Sequence, residues 1–221
     1  MGFPGIEHAL GFASSRAGAG KTTLVVELAA WFAARGHPVA LLDADLQAPD
    51  ALGRLEIAGT SGERDGVVGF SLGRALEQRG LAGIAGELLE QELAQLLEEE
   101  IDFGRRELLL VDLAPGAESN ESWLEALGLD ALVQVAHEGD ESALDAALPV
   151  LGRIETFARD ATGKRGPRGA TLLGRVPFDP LLREFAGRGA PLVLHDAHSP
   201  TSLAIAQAGA QLWKRVRSRL S

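Results

Sequence analysis

The sequence predicts an α/β fold in which a mainly parallel, twisted sheet carries helices on both faces. Three observations lead there. Short apolar segments alternate with longer amphipathic ones from end to end, the signature of βαβ units. The first apolar segment runs through a small-residue turn into a helical pattern. Finally, 46% of the 221 residues are hydrophobic, enough to bury one sizeable core, so 1–221 is expected to form a single domain.

The elements follow in order. Residues 8–13, His-Ala-Leu-Gly-Phe-Ala, give the first strand, and residues 21–34 a helix with apolar positions at three- and four-residue spacing, stopped by Gly36 ahead of Pro38. Residues 38–43 and 107–112 are strands that end in aspartate, with a shorter, less sharply marked strand at 67–71. Helix is expected at 84–100, a strand at 131–136, helix again at 141–159, a strand at 171–177 and a last helix at about 201–220. Segments 59–66 and 162–169 are rich in Gly and charge and are expected to be surface loops.

Composition narrows the function classes. A formal net charge of -10 argues against a nucleic-acid partner, whose phosphates call for a cationic surface. With no cysteine, disulfides, thiolate catalysis and cysteine-ligated zinc or iron–sulfur clusters are excluded. No apolar run approaches the roughly 20 residues of a spanning helix, and the first residues carry neither a secretory leader pattern nor the Ser or Thr of a myristoylation signal. A cytoplasmic protein is therefore expected.

The phosphate-binding candidate is residues 15–23, Ser-Arg-Ala-Gly-Ala-Gly-Lys-Thr-Thr. Strand, turn and helix together supply what a phosphate loop needs, a helix N-terminus with unpaired N–H groups. The nucleotide-binding set is Arg16, Ala17, Gly18, Ala19, Gly20, Lys21, Thr22 and Thr23. Gly18 and Gly20 let amides close around phosphate oxygens, Lys21 reaches the β- and γ-phosphates, the Thr22 hydroxyl ligates Mg²⁺, and Thr23 meets the α-phosphate. The first position of G-x-x-x-x-G-K-[ST] is Ser15 instead of Gly. An ordinary Gly-rich turn with a solvated lysine is the alternative.

Three acids converge on the same sheet edge. Asp43 and Asp45 close the strand at 38–43, and Asp112 closes the one at 107–112; ligands of open parallel sheets bind at that carboxyl edge. Asp112 suits a Walker B role, holding the Mg²⁺ shell through water. Asp45 is the candidate for orienting the attacking water, and Asp43 a metal or loop-ordering partner, also through water. Strand-terminal aspartates also cap helices and turns, and for Asp43 and Asp45 that reading stays open.

These residues resemble the MinD, ParA and Mrp branch of P-loop ATPases, whose deviant loop reads K-G-G-x-G-K-[ST]-[ST], followed by D-x-D and then D-x-P-P-G. Here the corresponding residues are Arg16-Ala-Gly-Ala-Gly-Lys-Thr-Thr, Asp43-Ala-Asp45 and Asp112-Leu-Ala-Pro-Gly116. Residues 173–193 and Ser199-Pro200 resemble the C-terminal part of Mrp and MinD, so the resemblance covers most of the chain. It implies Mg-ATP binding, a slow ATPase, and an ATP-dependent homodimer in which a signature lysine reaches the partner's phosphates. Arg16 stands at that lysine's position, so Lys21, Asp45 and Arg16 form the catalytic set.

Three departures qualify the resemblance. The Mrp C-x-x-C pair is missing, the strand ending in an adenine-reading asparagine is expected to be shortened into 161–170, and no guanine-specifying N-K-x-D occurs, which leaves ATP as the nucleotide by analogy. The sequence is also similar to bacterial polysaccharide-export tyrosine kinases at residues 14–23 and 42–49, but with no tyrosine it cannot phosphorylate itself in their manner.

In the last helix Leu212, Trp213, Val216 and Leu220 share one arc, while Lys214, Arg215, Arg217 and Arg219 occupy the rest. In MinD-like proteins such a helix binds membrane, which would make this protein peripheral to the inner membrane face; packing against the sheet is the alternative. His195 and His198 near Asp196 are expected to be surface residues without a metal. The expected function is an ATP-controlled homodimer switch with an unknown protein partner. A nucleotide-binding adaptor with little hydrolysis is the second reading.

Overall fold

The computed structural model describes residues 3–159 and 171–220. Strands and helices run β1 (Ile6–Ala13), α1 (Lys21–Ala33), β2 (Val39–Ala44), β3 (Ser61–Arg64), β4 (Val67–Ser71), α2 (Leu72–Gln78), α3 (Gly86–Gln95), β5 (Arg106–Leu113), α4 (Glu121–Ala126), β6 (Ala131–His137), β7 (Val150–Ala158), β8 (Leu172–Pro177), α5 (Pro180–Gly187), α6 (Leu192–His195) and α7 (Pro200–Arg219). The eight strands form one sheet in the order β3-β4-β2-β5-β1-β6-β7-β8. Every neighbouring pair is parallel except β3 with β4.

Side-chain alternation splits the interior into two cores. On β5, Leu108 and Leu110 pack with α1 and α7, while Leu109 and Val111 pack with α2 and α3. Because both faces are covered, the central strands are apolar throughout. Helix α1 is wedged between the sheet and α7, which explains its nearly continuous burial from Leu24 to Phe32. Close approach of α7 depends on Gly209, where a Cβ would lie 2.7 Å from the Trp31 ring.

Register sets up the site. Asp43 pairs with Asp112 across β2 and β5, and Asp112 with Phe12 across β5 and β1, so both acids reach the sheet edge beside the turn that follows β1.

Two sequence expectations are corrected. The helix expected at 141–159 is instead an irregular segment followed by β7. Pro149 cannot continue a helix begun at 141, and Gly152 is packed so tightly that a Cβ would lie 2.8 Å from the Thr171 carbonyl of the neighbouring chain segment. The loop expected at 59–66 contains β3, which pairs with β4 through the turn at Asp65-Gly66. The helix expected at 84–100 begins at Gly86 and loosens into a π-helical turn over Leu96–Glu100. The expected loop at 162–169 and the expected strand shortening at 161–170 lie outside the described residues, and the strand beside β6 is β7. Among the described residues no helix is long and apolar enough to cross a membrane.

Candidate functional site

The phosphate-loop candidate joins β1 to α1 at the centre of the sheet. Gly18 and Gly20 hold left-handed backbones, φ 77° and 78°, a region costly for residues with a Cβ. Gly20 is the N-cap of α1, and no side chain caps that helix end. The N–H groups of the first turn therefore point, with the positive end of the helix dipole, at whatever occupies the loop. The Thr156 hydroxyl donates to the Ala19 carbonyl at 2.7 Å, and His137 Nε2 lies 3.2 Å from the Gly18 carbonyl, so β7 and β6 hold the loop from its open side.

Lys21 is buried, and its Nζ donates to Asp112 Oδ1 at 2.5 Å. The Thr22 hydroxyl donates to Asp112 Oδ2 at 2.6 Å. Three of the residues picked from sequence thus meet at one carboxylate. Asp43 lies beside them, fully buried, and accepts from the N–H groups of Ala51 at 3.0 Å and Asp45 at 3.3 Å. Burial, then the charge of Asp112, pushes the Asp43 carboxyl up to about 7. Its observed contacts order the loop after β2.

Asp45 lines the cavity in front of the loop, and its Oδ1 accepts from Gln47 and Ala48 N–H groups, both at 3.1 Å. Arg16 is 72% exposed, and its Nε lies 3.7 Å from Asp140 Oδ2. Hydrogen bonds from Ser142, then the charges of Arg16 and Arg153, hold the Asp140 carboxyl below the usual carboxylate range.

Some residues of the site carried no sequence signal. Arg54 donates to the Thr23 hydroxyl at 2.6 Å and pairs with Asp50 at 2.6 Å, adding a second cation at the loop. Phe157, Phe178 and Asp179 line the same cavity from β7 and the segment after β8. Only the folded sheet brings them near a loop more than 100 residues away in sequence. The cavity encloses about 640 Å³ and runs from Arg16 and Lys21 to Leu182 and Ile205.

Among the described residues no three side chains of His, Asp or Glu are grouped to hold a metal. The donors at hand are the Thr22 hydroxyl and the Asp112 carboxylate, which suit a magnesium ion that takes its remaining oxygens from phosphate and water. Away from the cavity, α7 buries Leu212 and Val216 completely and packs Trp213 against His8, Phe32 and His37. The arc that would enter a membrane is thus part of the core, leaving Lys214, Arg217 and Arg219 exposed.

The CobQ/CobB/MinD/ParA nucleotide binding domain family matches residues 10–192. An iron-sulfur cluster carrier protein of Deinococcus radiodurans is 29% identical over 91% of this chain and 68% of its own. Among solved structures, the septum site-determining protein MinD of Pyrococcus horikoshii, complexed with Mg-ADP, superposes with a TM-score of 0.68, covering 97% of this chain and 98% of its own at 17% identity. The MinC:MinD cell division complex of Aquifex aeolicus gives a TM-score of 0.66 over 94% and 96% at 20% identity. At those identities the two structures speak for the fold alone.

Proposed function

Because the chain belongs to the CobQ/CobB/MinD/ParA nucleotide-binding domain family, we propose that it binds Mg-ATP at residues 16–23 and hydrolyses it slowly as a nucleotide-controlled homodimer switch. The observation that carries this reading is the meeting of Lys21, Thr22 and Asp112 at the uncapped start of α1. Lys21 is held by Asp112 and is in reach of the loop; a triphosphate offers it a denser negative charge. Its transfer from Asp112 to the phosphates would release a carboxylate oxygen to the water shell of a metal ion.

Thr22 and Asp112 would then hold magnesium, which, when bound, neutralises charge on the β- and γ-phosphates. Gly18 and Gly20 keep the loop amides aimed at phosphate oxygens, Thr23 takes the α-phosphate, and Asp45 orients the water that attacks the γ-phosphorus. Asp43, buried and bonded to the chain at Ala51, keeps the segment carrying Asp45 in place. Arg16, exposed at the loop, would leave Asp140 to meet the phosphates of the partner subunit.

Dimer closure gives the switch: a ligand moves an equilibrium only through differential affinity for its two states, and a shared triphosphate is bound by the closed state alone. An unidentified protein partner would sense the closed form. Carriage of an iron–sulfur cluster, named for the Deinococcus relative, has no thiolate ligand here.

One observation favours a second reading, an adaptor that binds nucleotide with little hydrolysis: Asp45 and Arg16 are both engaged within their own chain. A phosphate-release assay at saturating Mg-ATP separates the two. Turnover that rises with protein concentration supports the dimer ATPase; nucleotide binding without release supports the adaptor. Cosedimentation with anionic vesicles tests whether the exposed cations of α7 bring the protein to a membrane, and protein that stays in the supernatant would exclude it.

A further inference from the structure

Two cations reach the cavity from the phosphate loop itself and are held there by carboxylates, Lys21 by Asp112 and Arg16 by Asp140. Arg54 reaches it from elsewhere, a one-turn 3-10 helix, Gly53–Leu55, that follows β2. Its Nη1 donates to the Thr23 hydroxyl at 2.6 Å, while Nε and Nη2 both meet Asp50 Oδ2, at 2.7 and 2.6 Å. A guanidinium only donates, so Thr23 Oγ1 is the acceptor and the hydroxyl proton points elsewhere. Each terminal nitrogen of Arg54 also keeps a second hydrogen.

Asp50 is 56% exposed, and an ion pair so open to water holds its cation weakly. Arg54 is 25% exposed, and phosphate oxygens in the cavity would offer its fork a denser charge than one solvated carboxylate does. Position decides which phosphate it meets. Thr23 is the residue assigned above to the α-phosphate, and a guanidinium one hydrogen bond from its hydroxyl sits at that end of the phosphate chain. The same bond ties the segment after β2, which carries Asp45, to α1.

We infer that Arg54 is a further nucleotide-binding residue, donating to the α-phosphate beside Thr23, and that through it segment 45–57 answers to a nucleoside diphosphate as well as to a triphosphate. This rests on the phosphate site proposed above and adds to it a residue and a response to nucleotide state. The α-phosphate is common to both nucleotides, so ordering of the segment and closure of the dimer become separate events, the first set by the α-phosphate and the second by the γ-phosphate.

Equilibrium binding of the magnesium complexes of ADP and of a non-hydrolysable ATP analogue tests it, on the unaltered chain, Arg54→Met and Arg54→Lys, together with amide exchange through 46–57. Arg54→Met should weaken both complexes by the same factor, about tenfold, with Arg54→Lys in between, because a point charge keeps the attraction but not the fork. At saturating concentration either nucleotide should slow exchange in 46–57 of the unaltered chain to the same extent, and neither should do so in Arg54→Met. Circular dichroism checks that each variant folds, and Arg54→Lys decides the matter if Arg54→Met does not. Unchanged affinity in the variants, even with a lower urea midpoint, would make the Thr23 bond a structural clasp and overturn the inference while leaving the phosphate site standing. Weakening confined to the ATP analogue, or exchange slowed by it alone, would put Arg54 at the γ-phosphate and also overturn it. If the unaltered chain binds neither nucleotide, the phosphate site itself falls, and this inference with it.

Discussion

The Lys21–Asp112 pair does two things at once. It balances two charges that are almost completely buried, and it holds the phosphate-binding cation in place before nucleotide arrives. Removing one partner leaves the other charge uncompensated, which in a buried pair costs about 3 kcal/mol or more. Lys21→Ala should therefore lose nucleotide binding and also unfold at lower urea, with far-ultraviolet circular dichroism confirming that it folds. Asp45→Ala separates the roles: nucleotide affinity is kept while turnover falls by on the order of a hundredfold. Equal turnover in Asp45→Ala would remove the water-orienting role and leave the Gln47–Ala48 turn as the function of this carboxylate. At this scale the sequence exposed Lys21, Thr22 and Asp112, because strand, turn and helix each carry a local pattern. It concealed Arg54, Thr156 and Phe157, whose approach to the loop comes from pairing of strands far apart in the chain.

Among the elements, β7 shows how a periodic pattern misleads. Leu144, Leu148 and Leu151 fall at helical spacing, yet Pro149 interrupts the helix and Ile154, Thr156 and Phe157 favour a strand. Here the crossover from β6 is a short irregular segment, and Arg153 fastens it: the guanidinium is buried and donates to the carbonyls of His137, Asp140 and Ser142. Arg153→Met should unfold about 3 kcal/mol more easily and raise amide exchange through 138–149, while exchange in β1 stays slow. If exchange in that segment were unaltered, the fastening role would be refuted. Glu27 makes a similar tie between helices, accepting from the N–H groups of Leu192 and Val193 at 2.8 and 2.9 Å. Burial raises its carboxyl to about 7, with those two hydrogen bonds acting the other way. Between an ordinary value of 4.5 and about 7 the folded chain holds a proton that the unfolded chain has lost. Its stability contribution is thus fully present below that window and falls as pH rises through it, by up to about 3 kcal/mol. Urea unfolding from pH 4.5 to 8 should show that decline, to which the buried Asp43 carboxyl adds its own, and Glu27→Gln should make it shallower by the Glu27 share.

For the molecule as a whole, alternation of strands and helices foretold the mainly parallel sheet, and the family match over residues 10–192 agrees with it. Strand order and the β3–β4 hairpin were not readable, since strand pairing depends on packing partners that no local pattern names. The amphipathic arc of α7 was readable as an arc but not as core, because a buried stripe and a lipid-facing stripe have the same spacing. Nucleotide-driven closure has a whole-molecule signature: in Mg-ATP, Asp45→Ala should sediment at about twice the 23.2 kDa chain mass, and Arg16→Ala should weaken that dimer. A species of unchanged mass at saturating nucleotide would rule out the switch and favour the adaptor. All of this depends on a triphosphate seated at the start of α1. Calorimetric titration of Mg-ATP into the intact chain and into Lys21→Ala tests that directly: saturable heat at one nucleotide per chain, absent in the variant, is expected. No heat from the folded intact chain, or equal heat from Lys21→Ala, would contradict it.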